Sequence, residues 1–262
     1  DTTNPAIWKK GSAENRKRTR INQRITEILA ICKRAQYVGY TATPFANVFV
    51  DPDDQRDLFP AHFVLSLHRP PGYMGVQEFH DVGKRWDDEE KTVVNSNELA
   101  HIRRLAGDKN TDPIGRTREL QEALDAWVLA GALKKFRGSD EAYMRANPDV
   151  SYRHHTMLIH ESVRRDDHAE TAADVRSLWN LAKFNSAAGF ARLEKLFIDD
   201  FLPVMQARAA GAPIPTNFDV LKPYIGEALA QITVDGDPVL IVNSDNEIQA
   251  QQKRLDFEAD KV

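Results

Sequence analysis

The sequence predicts an α/β protein in which a largely parallel sheet is covered by helices. Two observations carry this. Short runs rich in β-branched, aromatic and other apolar residues, at 37–40, 62–67, 156–159 and 239–242, stop abruptly at polar turns. Between them lie longer segments whose apolar residues recur at three- and four-residue spacing, the signature of amphipathic helices.

The elements follow in chain order. Residues 1–12 are polar and irregular, and a helix is expected over about 16–34, with Ile21, Ile25, Ile28, Leu29 and Cys32 on one face. Arg16, Lys17, Arg18, Arg20 and Arg24 mark its other face, which reads as solvated with phosphate contact as the alternative. Tyr37, Val38 and Tyr40 suit a covered strand. Pro44 then removes a backbone donor and turns Thr43 away from helix, so the strand must end at 41–43 and leave the hydroxyls of Thr41 and Thr43 at its carboxyl edge. Open α/β sheets bind ligands at that edge. On periodicity alone an ordinary threonine-capped exit from strand to loop stays open.

An acidic loop at 51–57 precedes a second short strand, 62–67, which runs into the turn Pro70, Pro71, Gly72. Residues 81–116 are charged and weakly periodic and read as a linker. The helix at about 117–136 is apolar almost all round through Ala123, Leu124, Trp127, Val128, Leu129 and Leu133, which predicts burial on more than one side. A strand at 156–159 is followed by a helix carrying Val175, Leu178 and Leu181, with Asp166 or Asp167 as its cap. Phe190, Leu193, Leu196, Phe197 and Phe201 mark a helix expected to stop at Pro203; Phe218, Leu221, Ile225 and Leu229 mark one more, before a final strand at 239–242.

Composition narrows the function. The chain has 262 residues, 42% of them hydrophobic, enough for a real core in one large or two small domains. A formal net charge of -4 argues against a uniformly basic nucleic-acid coat, so any DNA contact must come from local patches. The single cysteine, Cys32, excludes a disulfide framework and a cysteine-cluster zinc site, and its place in the helical pattern predicts core filler. No apolar run approaches the roughly 20 residues of a bilayer span, and with no secretory leader ahead of Asp1 the expectation is a cytoplasmic protein.

The wording of the first strand adds more. TATP after an apolar run, residues 41–44, resembles the third motif of superfamily 2 helicases and translocases, and the longer GYTATPFAN, residues 39–47, resembles the endonuclease Z-one domain family. Three further blocks are similar to that family in order: LFPAHFVLSLHRPPGYMGVQEF at 58–79, RELQEALDAWVLAGALKKFRG at 118–138 and HTMLIHES at 155–162. The resemblance implies a RecA-like parallel sheet with flanking helices. It would be divided into the end of a first lobe with the TATP motif (residues 1–60), a connecting segment (61–115) and most of a second lobe with helical additions (116–262). Thr41 and Thr43 would then be the coupling hydroxyls that sense nucleotide state. Phe45 and Asn47 extend the string, as a packing ring and an ordering amide.

The resemblance also implies ATP and magnesium as cofactors of a longer protein. The chain itself has no GxxxxGK[ST] string to cradle phosphates, nor an Asp-Glu pair ending an apolar strand, so it reads as the middle of a motor that cannot hydrolyse ATP by itself. The implied partners are DNA and a nuclease subunit or domain of a bacterial restriction or phage-defence system. Tyr73, in the Pro-Pro-Gly-Tyr turn, is a candidate for stacking on a base, and Arg137 for a phosphate contact, each beside an ordinary packing or helix-dipole role.

Two other functions stay open: a metal-dependent endonuclease and a non-catalytic docking module between motor and nuclease. Asp81, Glu89 and Lys91 can be written as a nuclease centre, but 87–91 lies in a charged stretch with no apolar strand beside it and reads as solvated surface. His154, His155 and His160 invite a metal reading. In a strand, however, His155 and His160 point to opposite faces, so hydrogen-bonding roles are expected and no metal site is assigned. Cys32 has no nearby base to make it a nucleophile.

Overall fold

A 26-residue helix, Pro113–Gly138, organises the larger part of the molecule in the computed structural model, which describes residues 20–32, 34–42, 62–86, 90–162, 164–234 and 236–242. Contacts divide the chain into two compact units, Asp1–Tyr73 and Met74–Val262. In the first unit the one described helix is α1, Arg20–Ile31, where Ile28 and Ile31 are exposed. Cys32, just beyond it, is exposed as well, so it is not the core filler its position in the pattern predicts.

The second unit begins with two short helices, α2 (Val76–Phe79) and α3 (Asn97–His101). Next come the long α4 (Pro113–Gly138) and the short α5 (Glu141–Ala146), then α6 (Arg165–Ala182) and α7 (Ala187–Leu196). A π-turn, Phe197–Phe201, leads from α7 into α8 (Leu202–Arg208), and a 3-10 turn, Phe218–Leu221, leads into α9 (Lys222–Ile232). Among the described residues no helix is long and apolar enough to cross a membrane.

The start of α4 is fixed locally. The Asp112 carboxylate accepts from the Gly115 amide at 2.9 Å, and Pro113 fills the first turn, where its missing N–H costs nothing. Leu124, Val128, Leu129 and Leu133 are all buried, as the all-round apolar pattern predicts. α9 packs most extensively on α4, with α6 and α7 also against it. Around this axis Leu193, Phe197, Leu221 and Ile225 complete a core with almost no exposure.

Helix α7 does not stop at Pro203. The Leu202 amide donates to the Phe197 carbonyl across a π-turn, and Pro203 then falls in the first turn of α8, where its lack of a donor is tolerated. Residues 81–116, which the sequence reads as a linker, carry α3 and are tied to later helices. The Arg103 guanidinium pairs with Asp200, and Arg208 donates from Nε to the Val93 carbonyl at 2.8 Å and from a terminal nitrogen to Asn97 Oδ1 at 3.3 Å.

The fold-class expectation is corrected. Among the described residues there is no strand, so the RecA-like parallel sheet with flanking helices is not present. The four runs expected as strands are described as irregular chain, with Tyr40 90% and Leu158 87% exposed. Their β-branched and aromatic composition fits a pleated, half-buried surface only where a neighbouring strand completes the ladder. In the second unit helix side chains take backbone carbonyls instead. Lys134 Nζ donates to His154 O at 3.0 Å, Gln231 Nε2 to Arg153 O at 3.3 Å, and Arg176 to Val239 O at 3.0 Å.

Candidate functional site

Thr41 stands near the end of an irregular run, residues 35–42, in the first unit, with its side chain exposed. Thr43, Phe45 and Asn47 lie outside the described residues. Tyr73 closes the Pro-Pro-Gly turn: its amide donates to Pro70 O at 3.2 Å, Gly72 takes the φ of +77° that the bend demands, and the Tyr73 ring is exposed. Arg137 sits in the last turn of α4, where its Nε donates to the Pro213 carbonyl at 3.2 Å and its charge opposes the helix dipole. Arg137 therefore ties α4 to the loop before α9 within the second unit.

The carboxylate proposed from sequence for a nuclease centre is not solvated surface. The Asp81 side chain is 4% exposed and covers the N-terminus of α3, accepting from the Ser96 hydroxyl and the Asn97 amide at 2.7 Å each, with Lys91 Nζ 3.3 Å away. Lys91 also reaches Glu98 at 3.1 Å and lies over the Trp86 ring. Glu89 falls outside the described residues. Burial disfavours the charged form of Asp81, but Ser96, the Asn97 amide and Lys91 outweigh it and hold the carboxyl down to about 2.

A carboxyl held below its ordinary value of 3.8 contributes stability that is present above that value and is lost as the pH falls through about 2. Asp81→Asn is therefore expected to flatten the loss of stability between about pH 4 and 2 relative to the parent chain. Denaturant unfolding of both proteins across that range checks it. Parallel curves would refute the role.

The histidines do not act together. His155 Nε2 lies 2.8 Å from the Trp127 carbonyl; burial pushes its pKa down, with Lys134 and Lys135 adding to the effect against the opposing pull of that carbonyl. His160 stands edge-on to His168 at 6.1 Å, and His168 Nε2 is 2.6 Å from Ser162 O. Ser162 in turn donates to Asp167 at 2.6 Å, so Ser162, His168 and Asp167 fasten the chain entering α6 to its first turns and are not a nucleophile and its base. The N-cap of α6 is Arg164, without a side-chain cap bond, so neither Asp166 nor Asp167 is the cap expected from the sequence. Among the described residues no cluster of histidine, cysteine, aspartate and glutamate is arranged to hold a metal ion.

Sequence reasoning missed two features. The first is a network at the head of α6. Arg116, 12% exposed, binds Glu161 at 2.7 Å and Asp174 at 2.8 Å, while the Thr171 hydroxyl donates to Glu161 at 2.9 Å. Arg116, then burial and Thr171, set the Glu161 pKa, with the net effect downward. The second feature is a cavity of about 500 Å³ between α4, α6, α9 and the irregular runs 152–161 and 238–242. Its wall is mainly apolar, with Trp127 stacked on His155 at 5.2 Å and Trp179 packed at 5.9 Å on the same indole. The signal for the cavity was present in α4, where the Trp127 indole interrupts an apolar surface and needs specific partners.

A family profile for the Z1 domain matches residues 119–262, more than half of the chain. The chain belongs to the Z1 domain family. Comparison with curated proteins and with solved structures gives no match. The Z1 segment begins within α4 and takes in α5 to α9, so every residue lining the cavity, from Leu124 to Val242, is part of it. The TATP string, Tyr73 and Asp81 lie ahead of the Z1 segment.

Proposed function

We propose that this chain is the coupling part of an ATP-dependent DNA translocase or helicase-like motor in a bacterial restriction or phage-defence system, working with a nuclease partner. The observation that carries the reading is the TATP string at 41–44, placed ahead of the Z1 segment, with the Thr41 side chain exposed. Small hydroxyls there can accept or donate a hydrogen bond without ionising, which suits a relay between a nucleotide-holding part and a DNA-holding part. The residues of this chain do not fit a magnesium nucleotide: the GxxxxGK[ST] cradle is lacking and Asp81 is committed to the cap of α3. ATP and magnesium are accordingly assigned to other parts of a longer protein, and Tyr73 and Arg137 remain the DNA-contact candidates.

The test is Thr41→Ala with Thr43→Ala in the full-length protein. Nucleotide binding should stay within about twofold while translocation along DNA falls by about tenfold, the loss expected when an interaction made only in the working step is removed. Unchanged translocation would sink the reading. A docking role is favoured by the exposed apolar run Phe63, Val64, Leu65 and Leu67, and binding of the nuclease subunit without DNA or nucleotide would support it. Plasmid nicking by the isolated chain that Asp81→Ala or Glu89→Ala abolishes would instead make it an endonuclease.

A further inference from the structure

The cavity within the Z1 segment is mainly apolar, with two cations toward one end. Met157, Ile159, Val175, Trp179 and Leu240 supply apolar wall, and the space of about 500 Å³ falls in the range of small-molecule sites. The path of the chain fixes its ends. The irregular run 152–161 lies antiparallel to α4: a Cβ on Gly138 would meet the Tyr152 ring at 3.6 Å, His155 Nε2 reaches Trp127 O at 2.8 Å, and Glu161 pairs with Arg116. Lys134 and Lys135, both on the wall, therefore stand toward the Tyr152 end and Glu161 at the other.

The charges on the wall do not cancel. Glu161 is the one carboxylate among the lining residues, and Arg116 already neutralises it at 2.7 Å. Lys134 and Lys135 are half-buried, and neither has an ion pair among the described residues. Lys134 Nζ donates only to His154 O, at 3.0 Å, so its other two protons are unused. Burial lowers the Lys134 pKa with no carboxylate to oppose it. Burial lowers that of His155 too, and both lysines lower it further, which puts their charges within electrostatic reach of one ring on the cavity wall. The end of α4 offers about half a negative charge, too little to neutralise two cations. An anionic head placed there gains both, whereas a nucleotide or other polar body would leave its hydroxyls unpaired against the apolar wall.

We propose that this cavity binds a small amphiphilic anion, an apolar body with a single carboxylate head, the head pairing with Lys134 and Lys135 and the body lying along Met157 and Ile159 toward α6. The site lies within the Z1 segment and does not depend on the motor reading.

Decanoate and its uncharged isostere decanamide test it on the whole chain. Decanoate should bind about tenfold more tightly, the value of a charge-assisted hydrogen bond partly open to water, and its chain protons should give nuclear Overhauser contacts to the Met157 methyl group. Acetate, a head without a body, should not displace it at equal concentration. Lys135→Met keeps the apolar stem and removes a charge that has no partner among the described residues, so it should cut decanoate affinity about fivefold and leave decanamide within about twofold. Absence of decanoate binding, equal binding of the two probes, displacement by acetate, no contact with Met157, or a full preference surviving in Lys135→Met would each overturn the proposal. All but the last are read on the parent chain and hold even if the variant does not fold.

Discussion

Phe197→Ala is expected to destabilise the helical unit by about 3–5 kcal/mol, since Phe197 is the bulkiest fully buried side chain among the described residues. Phe197 opens the π-turn between α7 and α8 and is only 1% exposed. Its ring packs on Phe218 at 6.1 Å, and Phe218 begins the 3-10 turn that leads into α9. One side chain therefore joins the α7–α8 bend to the entry of α9. Truncation removes its apolar burial and leaves a cavity that the neighbouring rings and Leu193 cannot close without moving backbone, so transfer and cavity terms add. The adjacent Ile198 is exposed on the outside of the same bend, and Ile198→Ala should change stability by no more than about 0.5 kcal/mol. Urea unfolding of both variants, read by helical circular dichroism, checks the contrast. Similar midpoints for the two would mean that the π-turn does not place Phe197 in the core.

The same bend shows what sequence periodicity can carry. The apolar residues at 190, 193, 196, 197 and 201 announce a helix, and α4, α6, α7 and α9 all appear where their spacing places them. Periodicity says nothing of a register change, and Pro203 reads as a stop because the rule for proline assumes an unbroken α ladder. A five-residue turn removes that assumption.

The expected strands fail for another reason. Runs such as 62–67 and 156–159 specify extended, apolar chain, but a ladder also requires a neighbour in register, which composition does not name. Along 153–154 and at Val239, helix side chains from Lys134, Gln231 and Arg176 take the carbonyls. The candidate site was legible only in part. The TATP string is visible as letters. The Asp81 cap, by contrast, depends on Ser96 and Asn97 far along the chain, and its charged surroundings in the sequence suggested open solvent. The aromatic cavity brings together Trp127, His155 and Trp179 from three separate segments, a convergence that no local pattern encodes.

Asp125 was missed in the same way, and it leads to the second large effect. Its side chain is 5% exposed on the buried side of α4, and it accepts from Arg192 Nε at 3.0 Å and from Gln121 at 2.9 Å. Arg192, from α7, also donates to the Ala182 carbonyl at the end of α6 at 2.8 Å. The guanidinium thus neutralises a buried carboxylate and satisfies a helix terminus at once. Arg192→Ala should cost roughly 2–4 kcal/mol, somewhat less than a fully enclosed pair because Arg192 is itself partly open to solvent.

The cause can be separated from lost packing. If the penalty is the unpaired carboxylate, adding Asp125→Leu to Arg192→Met should recover most of the stability, since an apolar pair of similar volume carries no buried charge. If the penalty is the lost bond to Ala182 O, the double variant should remain as weak as Arg192→Ala. Denaturant midpoints for the two single variants, the pair and the parent chain distinguish these outcomes. A loss below about 0.5 kcal/mol for Arg192→Ala would show that Asp125 does not rely on Arg192 at all.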